Sequence, residues 1–171
     1  VTPALLALLL LPTQDDPARD LSPELRRHQG TWRVVSFVHD GQEADPEVMA
    51  SIRRTVEGAR VIWSRDGKRF SATGLELDPG ATPPALDLIP EGGPRRGERV
   101  LGIYRLEGDR LTICVADPGT PRPDTFSAAT GGRRTLMILE RETAASIDRD
   151  GREAENDIDL SRFDPEAPVT P

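Results

Sequence analysis

Between residues 31 and 142, apolar side chains recur at every second position in short runs, the period of a strand with one buried and one wetted face. The alternation shows in Val61/Trp63, Phe70/Ala72, Leu101/Ile103 and Leu111/Ile113/Val115. It predicts strands over residues 31–39, 60–65, 68–77, 85–90, 99–107, 110–116 and 135–142, with a weaker one at 53–57. The dipeptides Asp40-Gly41, Asp66-Gly67 and Gly108-Asp109 supply the positive φ angles that tight hairpin turns require. Ser22-Pro23-Glu24-Leu25 has the capping hydroxyl, first-turn proline and acid of a helix start, and Gly30 stops that helix. A second short helix is expected from Asp45-Pro46-Glu47, directing Val48, Met49 and Ile52 to the core. Eight short strands in consecutive hairpins predict an all-β fold, a small antiparallel up-and-down barrel with one or two short helices. An open sheet or a two-sheet sandwich satisfies the same pattern.

The ends do not share this periodicity. Ala4 to Leu11 is an unbroken apolar run closed by Pro12. Eight residues are too few for a membrane-spanning helix, which needs roughly 20, but they suit the core of a secretory signal. Residues 1–20 are therefore read as a signal peptide and spacer, with a docked N-terminal helix as the alternative. Residues 21–142 form the barrel domain and 143–171 an acidic, disordered tail, too polar to offset its ordering entropy. The mature chain is then exported, periplasmic or extracellular, with no membrane span.

Charge narrows the function classes. The 171-residue chain carries a formal −7, of which residues 148–166 supply −5 through eight acids and three arginines. Without a dominant basic patch to neutralise phosphates, no nucleic-acid partner is expected. Asp148-Arg149-Asp150-Gly151 places glycine at the fourth position, not the sixth that an EF-hand loop needs, so calcium is not expected there. The lone Cys114 cannot form an intramolecular disulfide and is read as a strand-packed thiol. His28 and His39 sit at opposite ends of the first strand and make no catalytic or zinc-binding pair, so neither metal nor cofactor is expected. Gly92-Gly93-Pro94-Arg95-Arg96-Gly97 lacks the Gly-Lys-Ser/Thr ending of a phosphate loop and reads as a hairpin connection.

Gly30-Thr31-Trp32 after a short helix resembles the Gly-x-Trp entrance to the first lipocalin strand. Extended through His28–Ser36, Val100-Leu101-Gly102-Ile103-Tyr104-Arg105-Leu106-Glu107-Gly108-Asp109-Arg110-Leu111 and Asp117-Pro118-Gly119-Thr120-Pro121, the pattern resembles the planctomycete uncharacterised lipocalin-like domain family, collinearly from about residue 25 to 141. The resemblance implies a lipocalin-like barrel behind an export signal, with no established activity or ligand. It also implies that Trp32 packs at the closed end beneath an arginine of the last strand, with Arg141 as the candidate and Arg133 and Arg134 as alternatives.

Trp32, Val34, Trp63, Phe70, Leu101, Ile103, Ile113 and Val115 are the expected inward positions. They either fill the core or line a cavity for a small apolar ligand. The function expected from the sequence is non-enzymatic binding of such a ligand or of a protein partner. A hydrolase using barrel-mouth carboxylates and a structural envelope component are the alternatives. Ligand identity and oligomeric state are not legible in the sequence.

Overall fold

A computed structural model describes residues 21–143. The expected signal segment (residues 1–20) and nearly all of the expected tail (residues 144–171), with its calcium-like acidic run, lie outside the described residues. In chain order the elements are α1 (Pro23–His28), β1 (Gly30–His39), β2 (Gln42–Glu43), α2 (Pro46–Ser51), β3 (Ile52–Glu57), β4 (Arg60–Arg65), β5 (Lys68–Asp78), β6 (Ala85–Pro90), β7 (Val100–Glu107), β8 (Arg110–Ala116) and β9 (Arg134–Arg141). Each long strand pairs antiparallel with the next, and β9 returns to pair with β1. The result is a closed eight-stranded up-and-down barrel, with β2 a two-residue extension on the end of β1.

The hairpins form where the sequence supplies left-handed backbone. Asp40 and Gly41 have φ of 49° and 81°, and Asp66 and Gly67 have φ of 49° and 74°, the signs a two-residue primed turn demands. Ser22 caps α1 by accepting from Leu25 N, and Asp45 caps α2 by accepting from Glu47 N. Of the apolar residues expected to point inward from α2, Met49 and Ile52 pack on the core, and Ile52 is already the first residue of β3.

Trp32, Val34, Val56, Val61, Leu75, Leu86, Leu88, Tyr104, Leu111, Ile113, Val115, Met137 and Leu139 form one continuous interior. Three expected inward positions are corrected. Phe70 is 61% exposed, because it is the residue skipped at the register shift where Ser71 pairs with Trp63 and Arg69 with Ser64, while Ala72 falls opposite the inward parity that Thr73 and Leu75 set. On β7, Val100, Tyr104 and Leu106 pack on the core, which places Leu101 and Ile103 on the outer face. Leu101 is half-buried opposite Asp87. Ile103 is buried, but lies between Ala85 and Cys114 on the outside. The misleading signal was Gly102, an inward position without a side chain.

That glycine is required by space. A Cβ there would meet Val115 Cγ1 at 2.8 Å, the Cys114 carbonyl oxygen at 2.9 Å and Leu86 Cδ1 at 3.2 Å. Gly102→Ala is therefore expected to destabilise the barrel by about 1–3 kcal/mol through overpacking. Urea denaturation measures it, and an unchanged midpoint would show that β7 and β8 separate freely.

One end is sealed by α1. Trp32 Nε1 donates to the His28 carbonyl oxygen at 3.0 Å, and the Arg141 guanidinium lies 4.0 Å from the Trp32 ring centroid. Arg141 also donates to the carbonyl oxygens of Gln29 and, at 2.7 Å, of Arg27, and to Asp109 at 2.8 Å. Thus one guanidinium ties the last strand to α1 and stacks on the indole, a contact worth about 0.5–2 kcal/mol. Arg134, at the start of the same strand, instead contacts Asp124, and Arg133 faces Asp117.

Candidate functional site

At the end opposite α1, the strands β1, β4, β6 and β8 terminate and β3, β5, β7 and β9 begin. Here the apolar lining is only half-buried, with Phe37, Met49, Ile52, Trp63 and Val100 packed against the core yet reached by solvent. A crevice of about 590 Å³ opens at this rim, lined by Ile52, Arg65, Asp66, Lys68, Arg69 and Phe70. Three cations face one acid there, in a chain whose formal charge is −7. Arg65 and Asp66 approach only to 4.0 Å, a separation in water that contributes little.

Directly below this rim the sequence places a charge inside the barrel. Ile52 and Val56 on β3 pack on the core, so alternation puts Arg54 between them on the same inward face. Its Cα partners are Trp32 and Trp63. Arg54 is 0% exposed, and Nε, Nη1 and Nη2 all lack a hydrogen-bond partner among the described residues. Burial pulls its pKa down to about 9, so the guanidinium remains charged at neutral pH. The buried Thr73 hydroxyl, inward on β5 opposite Val61, is also without a partner.

His28 is likewise 0% exposed, edge-on to Tyr104 with ring centroids 4.9 Å apart. Its two ring nitrogens make no hydrogen bond, and Glu24 Oε1 stands 3.8 Å from Nε2. Burial, with the positive charges of Arg54, Arg27 and Arg141, lowers its pKa to about 3. His28 is therefore neutral at any ordinary pH. Tyr104 donates its hydroxyl proton to Glu24 at 3.2 Å, and burial beside that carboxylate raises its pKa.

Of the inward residues expected from sequence, Trp32, Val34, Ile113 and Val115 lie in the packed core and Trp63 stands at its half-open end. Phe70 belongs to the rim, and Leu101 and Ile103 to the outer face. Ile103 lines an outer groove of about 450 Å³ with Glu76, Asp87 and Arg122. Arg122 fastens the loop over that groove through the carbonyl oxygens of Leu86 and Gly102 at 2.9 and 2.6 Å and Asp87 at 2.7 Å. Glu76, Asp87, Glu91 and Glu140 each accept from an arginine. Among the described residues no three metal-ligating side chains converge, and no helix is long and apolar enough to cross a membrane. Cys114 is buried, donates weakly to the Ser127 carbonyl oxygen at 3.5 Å and has its pKa raised by burial. His39 lies at the other end of β1, 2.9 Å from the Thr135 hydroxyl.

Sequence reasoning missed Arg54 because Ile52-Arg53-Arg54-Thr55-Val56 contains two adjacent arginines, and only register distinguishes the buried one from Arg53, which pairs with Glu142. The strict alternation of Ile52 and Val56 was the available signal. Comparison with protein-family models and with curated proteins finds no match to this chain.

Proposed function

We propose that this protein is a non-enzymatic, lipocalin-like binding module that acts outside the cytoplasm and takes a small, largely apolar ligand at the open end of its barrel. The observation that carries this reading is the contrast between the two ends. Around Trp32 the barrel is capped by α1 and the indole is buried; at the other end Phe37, Ile52, Trp63 and Val100 keep an apolar wall in contact with solvent. The adjoining rim crevice of about 590 Å³ is open to solvent and sets Ile52 and Phe70 beside Arg65, Asp66, Lys68 and Arg69. Export rests on the apolar run ahead of the domain, and kinship with the planctomycete lipocalin-like domains rests on the Gly30-Thr31-Trp32 entrance and the β7–β8 hairpin.

Native mass spectrometry of the protein purified from its own host tests the reading directly. The expected result is a released small molecule, with Trp63→Ala lowering its occupancy. Protein recovered ligand-free and bound to another protein would replace the small-ligand reading by an interaction role.

A further inference from the structure

We propose that the ligand is an anionic amphiphile that enters head first, and that Arg54 receives its carboxylate inside the barrel. The inference rests on the ligand-binding reading above and names the chemical class of the ligand. Arg54 presents a planar fork of donors that matches a carboxylate, yet it is wholly buried and none of its three nitrogens has a partner. A buried charge without an opposing group is strongly unfavourable. Glu24, the acid beside His28, is engaged by Tyr104 and Arg27, so it does not serve Arg54.

The placement of Arg54 adds a route. On β3, Ile52 and Arg54 are successive inward positions, about 6–7 Å apart along the strand. Ile52 lines the rim crevice, and Arg54 lies one step deeper, its Cα between those of Trp63 and Trp32 and its charge close enough to His28 to oppose protonation of that imidazole. A carboxylate head at Arg54 therefore leaves its chain beside Trp63 and Ile52, pointing out towards Phe70. Arg65, Lys68 and Arg69 at the rim attract an anion to the entrance against the negative charge of the chain as a whole. The unpartnered Thr73 hydroxyl, inward on β5, is a second donor on the same lining.

The test compares laurate with dodecanol, below their aggregation concentrations, by calorimetric titration of the full chain. Laurate is expected to bind about 10- to 100-fold more tightly, the range spanned by charge-assisted hydrogen bonds. Arg54→Met should bring that ratio close to one, with the larger loss falling on laurate, and Arg54→Lys should retain part of the preference. Equal affinity of the unmodified protein for both probes would overturn the role of Arg54 and leave ligand binding standing. Binding of neither probe would overturn both. An undiminished laurate preference in Arg54→Met would place the carboxylate on the rim cations instead. If that variant fails to fold, the rim variant Arg65→Gln/Lys68→Gln/Arg69→Gln decides: a laurate preference that persists in it supports Arg54, and one that vanishes overturns it.

Discussion

Replacing Trp32 by alanine is expected to lower the unfolding free energy by about 3–5 kcal/mol, the range of large aromatic truncations in cores. Three independent losses coincide at this position. The indole is 0% exposed, so its removal leaves a cavity that the paired strands β3 and β9 cannot close without breaking register with β1. The hydrogen bond from Nε1 to the His28 carbonyl oxygen disappears, removing one of the ties between α1 and the barrel floor. Arg141 loses the ring on which it lies at 4.0 Å, while keeping its bonds to the α1 region. Trp32→Phe retains the ring face but not the donor, so its cost should be distinctly smaller. Equilibrium urea denaturation of both variants makes the comparison. A loss under 1 kcal/mol in Trp32→Ala would mean that the closed end is not organised around this side chain.

The same residue shows why much of the fold was legible from sequence and part of the site was not. Strand positions follow from alternation and hairpin turns from Asp-Gly and Gly-Asp, both local signals, and β4, β6 and β8 have the bounds that alternation predicts. Barrel closure by β9 on β1 removes the exposed edges, but the local pattern alone does not select it over an open sheet or a sandwich. The face of each strand is harder to read, because a one-residue slip reverses it. On β5, alternation with Ala72 suggests an inward Phe70, but the register shift between Ser71 and Arg69 leaves the aromatic unpaired at the rim. On β7, Leu101 and Ile103 outweighed Gly102 as sequence signals, although the glycine is the inward residue.

Irregularities compound the difficulty: β1 shifts register between Val34 and Ser36, and β4 pairs with a shift between Trp63 and Ser64. No period-two pattern anticipates such bulges. Arg54 was obscured for a different reason. A charged residue in a strand is ordinarily a solvent-facing one, and the rule fails at Arg54, which the parity of Ile52 and Val56 carries inside the barrel.

Lowering the pH from 6.5 to 4.5 is expected to remove about 2–3 kcal/mol of stability through His28 alone. In the folded protein this imidazole binds a proton only near pH 3, because burial and the neighbouring Arg54, Arg27 and Arg141 charges oppose its protonation. In the unfolded chain it titrates near the ordinary 6.5. Between those values the unfolded state binds one more proton than the folded state, so stability rises with pH at about 1.4 kcal/mol per unit. The contribution is complete above pH 6.5 and is lost progressively as the pH falls towards 3. Glu24, 3.8 Å from Nε2, provides some compensation for an imidazolium, but not enough to reverse the effect of the burial and the three arginines.

His28→Phe isolates this contribution. It keeps an aromatic edge against Tyr104, removes no hydrogen bond from the ring, and leaves the backbone carbonyl that accepts from Trp32 in place. Subtracting its stability profile from that of the unmodified protein cancels the carboxylates that titrate in both. The difference should climb by about 2–3 kcal/mol from pH 4.5 to 6.5 and flatten above it. A difference that is level across this window would mean that His28 takes up its proton in the folded barrel as readily as in the unfolded chain, with the floor open to water beside Tyr104.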